Sequence, residues 1–426
     1  MPKFDECVRY AAISDIGMRR QNNQDSLNAM LAPDPEYWQQ RGHLFVVADG
    51  MGAHAAGELA SKLAVDHIPL TYGKHTELEP AAALQQAIIE ANLKINQKGQ
   101  ANSEFQGMGT TCSSLLLLPA GAVIGHVGDS RIYRLRGDVL DQMTFDHSLV
   151  WEMRASGQIP AGADTIHLPK NIITRSLGPN SEVQVDVEGP LPVKAGDVYL
   201  LCSDGLTGPI TDLELAAILK AMPPDDAVRT LVDLANLRGG PDNITVIVVQ
   251  VVALPEEAVD IETQQKSKFS STALLLALAG VFLLATVVLL FAQFKLPAFL
   301  CAAVALVAVI VAILQRLDTG TTTDGGTRAA KMGGAPYVSF DAGPNAEVVE
   351  KFHRVAQELQ TSASASGRQV DWQKFEQRTA AAESARQQGD LVAAVRHFGG
   401  AISFAVEELK QQGPTKSPSD SHVDLF

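Results

Sequence analysis

Four acidic residues stand where apolar runs end or begin. "FVVADGMG" (45–52) carries a strand-forming run straight into Asp49-Gly50, and "YLLCSDGL" (199–206) repeats the design at Asp204-Gly205. "GHVGDSRIYRL" (125–135) sets Asp129 between two apolar runs, and "RGGPDNITVIVV" (238–249) places Asp242 at the head of another. An Asp-Gly pair after an apolar run is first of all turn chemistry, Gly taking positive φ and Asp closing the turn with its side chain. Recurrence adds a second reading, because acidic residues at several strand ends, far apart in sequence, can converge in one folded domain. Carboxylates, a backbone carbonyl and water are hard oxygen donors that suit manganese or magnesium better than zinc. Two such ions close together can share a water, lower its pKa and aim it at phosphorus, so that no side-chain nucleophile is required. A cation for the phosphate is also present. "SDIGMRRQNNQDS" (14–26) supplies Arg19 and Arg20 shortly before Asp25, and an Arg fork matches phosphate oxygens in bidentate fashion.

The elements that must position these residues are legible in outline. Alternation and β-rich composition predict strands over 44–48, 112–118, 121–127, 131–135, 197–202 and 244–252, with helices over 57–70, 79–98 and 225–237. This pattern suits an antiparallel α+β domain over residues 1–255. Leu84, Ile88, Ala91 and Ile95 recur at helical spacing, so that face packs on a sheet. His126, inside an apolar strand, reads as a core histidine. The 426 residues, 46% of them hydrophobic, exceed one compact domain. A net charge of -14 without a long basic run excludes a nucleic-acid partner held by counterion release. Cys7, Cys112, Cys202 and Cys301 lack metal-ligand spacing, and three lie in or beside apolar runs, as reduced cysteines do. The start "MPKFDECVRY" has no apolar stretch after a basic residue, so no cleavable signal peptide is expected.

Beyond a polar linker (256–271), residues 272–294 and 296–315 carry no charge, and each reaches the roughly 20 residues that cross a bilayer core of about 30 Å. Lys295 and Pro297 break the two apart, which predicts a transmembrane hairpin over 272–315. Lys266, Lys268, Arg316, Arg328 and Lys331 flank it against Lys295 alone at the tip. The positive-inside rule then places both termini in the cytoplasm, on a two-helix protein of the inner membrane. Residues 316–344, rich in Gly and Thr, read as a flexible linker. Residues 345–412 are helical by pattern, over 345–361, 371–388 and 391–411, and the turn at Gly389-Asp390 resembles a tetratricopeptide hairpin. A lone copy cannot bury its own face, so a small bundle that contacts another protein is expected, followed by a disordered tail over 413–426.

The blocks "RRQNNQDS", "VVADGMGAHAAGE", "GMGTTCSSLLL", "GHVGDSRIYRL", "FDHSLVWEMRASGQIP", "NIITRSLG", "GDVYLLCSDGLTG" and "GGPDNITVIVV" follow one another over residues 8–253. In this the sequence resembles the bacterial type-2C (PPM) metal-dependent serine/threonine protein phosphatases. The resemblance implies two antiparallel sheets packed face to face with helices outside, a four-layer αββα sandwich with the metals in a cleft at one end. It implies that Asp49 bridges two ions, manganese or magnesium, that the Gly50 carbonyl completes one site, and that Asp204 and Asp242 bind the other. Asp25 would hold water from outside the ligand sphere, Arg20 would take the substrate phosphate, and Asp129 would share a third, weaker ion with Asp204. Segment 146–178 resembles the family's flap beside the cleft. Gln24 stands where many members have Glu, and Met51 where many have His. The function implied is hydrolysis of phosphoserine and phosphothreonine on cytoplasmic proteins, opposing serine/threonine kinases. The competing readings are a catalytically silent adaptor or sensor at the membrane, and an active domain that merely regulates a partner of the C-terminal helices.

Overall fold

The computed structural model describes residues 7–53, 55–159, 172–253 and 334–412, with scattered positions between 282 and 306. Two units form: Met1–Pro255 together with Thr327–Phe426, and Glu256–Gly326.

In the first unit two antiparallel sheets lie face to face. One has the strand order β1 (Val8–Asp15), β11 (Ile244–Val251), β10 (Val198–Cys202), β7 (Arg131–Arg136), β8 (Val139–Gln142) and β12 (Val338–Asp341). The other runs β2 (Asp25–Met30), β3 (His43–Met51), β5 (Cys112–Leu118), β6 (Gly121–Val127) and β9 (Asp186–Leu191), with the short β4 (Gly109–Thr110) on β3. A strand alternates its side chains between two faces, and when both are covered it reads as an unbroken apolar run. Strand β3, which follows the short helix α1 (Pro35–Arg41), shows this directly. Leu44, Val46 and Ala48 pack outward beneath helices α2 (Ala56–Tyr72) and α3 (Pro80–Ala101), whereas Phe45 and Val47 point between the sheets. Strand β11 divides the same way: Ile244, Val246 and Val248 face the helices on its outer side, and Ile247, Val249 and Val251 face the inter-sheet core.

That outer side is covered by α6 (Asp212–Ala221) and α7 (Pro224–Leu237). The first opens on a capping box, Thr211 with Glu214, which satisfies two orphan N–H groups of its first turn. Here the structure departs from sequence expectation. Residues 338–341, read as part of a flexible linker, form β12 and pair with β8 in the register Val338↔Gln142 to Asp341↔Val139. The following helices α8 (Ala346–Ala365), α9 (Trp372–Gln387) and α10 (Leu391–Gln411) do not stand apart from the sandwich either. Val349, Phe352, Phe398, Ile402 and Val406 share one apolar cluster with Leu215, Ile218 and Leu231 of α6 and α7. A helical hairpin that cannot bury its own face has found its partner within the chain, so the face expected to recruit another protein is already covered.

In the second unit, residues 282–289 are helical, and Phe291, Leu296 and Phe299 are at least 80% exposed. No helix among the described residues is long and apolar enough to cross a membrane. The expected spans 272–294 and 296–315 lie largely outside the described residues, as do the polar linker 256–271 and the tail 413–426. Cys7, Cys112 and Cys202 are buried, as expected of small apolar residues.

Candidate active site

The period-two alternation that buries Phe45 and Val47 between the sheets carries the next member of that face, Asp49, to the mouth of the sandwich. Asp25 is its direct partner across the β2–β3 ladder. From the opposite sheet, Ser203, the residue after β10, donates its hydroxyl to Asp25 Oδ2 at 2.7 Å, so one hydrogen bond ties the two sheets at this end. Asp204 follows at the head of the single turn α5 (Asp204–Thr207), within hydrogen-bonding reach of the Asp49 carboxyl. Asp242 lies two residues before β11, where Arg20 donates from Nη2 to its Oδ2 at 2.7 Å. Asp129 sits in the turn between β6 and β7, buried, with Oδ1 meeting no hydrogen-bond partner among the described residues. All six side chains singled out from sequence are therefore brought together, and Arg19 is left as an exposed neighbour. Gly50 fits its place because a Cβ there would strike the carbonyl oxygens of Gly57 and Gln24.

The electrostatics follow from crowding. Burial above all, then the charges of Asp25, Asp204, Asp129 and Asp242, pushes the Asp49 carboxyl well above the ordinary carboxylate range. Burial likewise pushes Asp25 up to about 7, and Asp129 up to about 7 with help from Asp204 and Asp146. Asp204 is raised by burial and by Asp242. Like charges held this close call for protons or for cations. The donors are all hard oxygens, and the orphaned Asp129 oxygen is the kind of atom that a cation would satisfy. Among the described residues no three His, Cys, Asp or Glu side chains form a closed metal cage. Carbonyl and water oxygens would have to complete each site, and Asp242 would have to turn from Arg20.

The residues that hold this arrangement were not evident from sequence. Asn243 accepts from the Gln24 N–H at 2.9 Å and donates from Nδ2 to the carbonyls of Ile16 and Asn22. It thereby fixes the arginine-bearing loop to the strand that follows Asp242. Thr111 accepts from the Asp49 N–H at 2.9 Å and exchanges a hydrogen bond with Ser130, which links the strand ends of Asp49 and Asp129. The one available signal was position, since Asn243 and Ser130 each follow a carboxylate in the quoted blocks. His126 is a satisfied core group: Nε2 donates to the Phe145 carbonyl and Nδ1 meets Ser113 Oγ at 3.0 Å, while burial lowers its pKa to about 3.

These shifts predict how metal-free protein responds to pH. Carboxyls raised from 3.8 to about 7 keep protons in the folded state that the unfolded chain has released. Folding stability therefore falls as pH rises through that window. His126 works the other way below pH 6.5, where only the unfolded imidazole gains a proton. One histidine is outweighed by the carboxyl cluster. Melting in chelator is expected to be higher near pH ~5.5 than near ~8, and manganese should remove or reverse that slope by holding the carboxylates ionised. A melting temperature in chelator that climbs steadily with pH would contradict the crowding argument.

A centre of hard oxygen donors with an arginine beside it suits attack on a phosphate ester. Comparison with known proteins agrees. A family model described as protein phosphatase 2C matches residues 18–223. The protein phosphatase PhpP of Streptococcus pneumoniae is 38% identical over 250 residues, 57% of this chain and 98% of that protein. The serine/threonine phosphatase stp of Listeria innocua is 36% identical over 242 residues, 56% of this chain and 93% of that protein. The crystal structure of the Mycobacterium tuberculosis serine/threonine phosphatase PstP/Ppp superposes with a TM-score of 0.51 at 34% identity, covering 58% of this chain and 99% of that one. The chain belongs to the protein phosphatase 2C family, and it is a metal-dependent serine/threonine protein phosphatase.

Proposed function

We propose that this chain removes phosphate from phosphoserine and phosphothreonine of cytoplasmic proteins while anchored to the membrane, in opposition to serine/threonine kinases. The observation that carries the reading is the meeting of five carboxyl groups with Arg20 at one mouth of the sandwich. Asp49 and the Gly50 carbonyl would hold one manganese or magnesium ion, and Asp49, Asp204 and Asp242 a second. Asp129, with its unpartnered oxygen, and Asp204 suit a third, weaker one. Bound there, such ions supply Lewis acidity toward a phosphoryl oxygen and a lowered pKa for water.

The protein's own groups do the remaining work. Arg20 is exposed and already bound to one carboxylate, so an incoming phosphate takes over a fork that is positioned for an anion. Asp25, oriented by Ser203, can accept a hydrogen bond from water and hold a proton near neutral pH, since burial has brought its pKa to about 7. The inter-sheet core behind Asp49 keeps the centre rigid. Every acidic position is filled, which disfavours the silent-adaptor reading. Anchoring is supported by the uncharged stretches 272–294 and 296–315 and by the exposed Phe291, Leu296 and Phe299.

The test uses the full chain, taken from membranes in detergent, with a phosphothreonine peptide. Phosphate release is expected with manganese and not with chelator, and the chain should stay in the membrane pellet after an alkaline carbonate wash. A folded, manganese-loaded chain without turnover would sink the catalytic reading, and loss from the pellet would sink the anchor.

A further inference from the structure

The strand that returns to the sandwich after the apolar unit also reaches the frame of the acidic centre. Tyr337, immediately before β12, is 7% exposed. Its N–H donates to the Gln142 carbonyl at 2.9 Å and its hydroxyl to Glu188 Oε1 at 2.6 Å. Its ring meets Phe145 edge-on at 5.7 Å, and Phe145 in turn meets Trp151 edge-on at 5.2 Å. Trp151 belongs to α4 (Leu149–Ala155), and the Arg131 guanidinium lies over its ring.

The residues beside Phe145 connect this stack to the carboxylates. Arg131 donates from Nε to Asp146 Oδ1 and from Nη2 to Asp146 Oδ2. His147 Nδ1 accepts from the N–H of Gly128, and the His147 N–H donates to the Gly128 carbonyl, one residue before Asp129. Phe145, Leu149, Met153 and Tyr337 line, with Arg175 and Asp186, a cleft of about 690 Å³. On this reading a small phosphate ester needs only the acidic centre, whereas the chain around a phosphorylated residue would extend along this cleft.

We propose that Tyr337 is a positioning residue that sets specificity for protein substrates. It props the Phe145–Trp151 stack, fixes α4 and the cleft wall beside Asp129, and touches no reacting atom. The proposal rests on the phosphatase reading above, and the experiment separates the two. Full-length Tyr337→Ala, Tyr337→Phe and Trp151→Leu are assayed with manganese on a phosphothreonine peptide and on p-nitrophenyl phosphate. Loss of the edge-on ring contacts in Tyr337→Ala is expected to raise the peptide KM about tenfold, with kcat on the small ester within about twofold of wild type. Tyr337→Phe keeps the ring and should retain the wild-type KM, and Trp151→Leu should repeat the peptide defect from the other end of the stack. Should Tyr337→Ala fail to fold, Trp151→Leu decides the matter. Parallel losses on both substrates, or an unchanged peptide KM in Trp151→Leu, overturn the proposal alone. No turnover of either substrate by the wild-type chain overturns the phosphatase reading and this inference with it.

Discussion

Asp204→Ala is expected to lower manganese-dependent turnover by about 10²–10³-fold, the range for removing one preorganised charge-stabilising group. The carboxyl lies at the head of α5, faces Asp49, and would serve two of the three cation positions. The same substitution should make the metal-free protein more stable. Burial and Asp242 both disfavour the ionised form of Asp204 in the folded chain, so its removal relieves repulsion that only cations offset. A variant that melts higher in chelator, gains less from manganese on melting and turns over no substrate would show a site that trades stability for function. Unchanged turnover would remove Asp204 from the machinery, and a lower melting point in chelator would refute the crowding account. Calorimetric titration with manganese reads the ligand loss separately from activity.

Phe398→Ala is expected to cost about 3–5 kcal/mol, the range for emptying a large buried aromatic site. Phe398 is fully buried in the cluster that joins α10 to α6 and α7, with the His353 ring edge-on at 5.4 Å. Because that cluster also packs on β10 and β11, which lead into Ser203-Asp204 and out of Asp242-Asn243, the loss should reach the active site. Activity and helical signal should be lost in one transition, shifted down by roughly 10 °C. Phosphatase activity that outlasts the melting of the C-terminal helices would mean the two regions are independent. Cutting the chain after residue 255 is a harsher version of the same change. It would bare Leu215, Ile218, Val228 and Leu231 on a continuous apolar face, and such faces aggregate.

The acidic centre was legible because its signal is local. Strands buried on both faces read as unbroken apolar runs, and an Asp at the end of such a run stands out; Asp49, Asp204 and Asp242 could be named with no structure at hand. The strands β1 and β2 escaped because their faces are half covered and their residues mixed, as in "DSLNAM". Strand β12 escaped because four residues among glycines carry no period, and their partner β8 lies about 200 residues away. Non-local pairing leaves no trace in local pattern. The supporting roles of Asn243, Ser203 and Thr111 are hydrogen bonds between distant segments, and a polar residue does not announce its acceptor. The C-terminal helices were legible as helices. Their partner was not, because α6 is short and its apolar face shows only once the sheet beneath it is in place.

The pairing of β8 with β12 also gives the enzyme a birth order. At a synthesis rate of about 5–20 residues per second, β8 waits on the order of 10–40 s for its neighbour to be made. During that interval the sheet ends in an open row of N–H and C=O groups, which invites pairing with another chain. The chain through residue 341, apolar segment included, must be synthesised before that edge is covered. A ribosome that stalls within that segment would leave the β8 edge open, so protection of the sheet is timed to the synthesis of residues beyond the apolar segment.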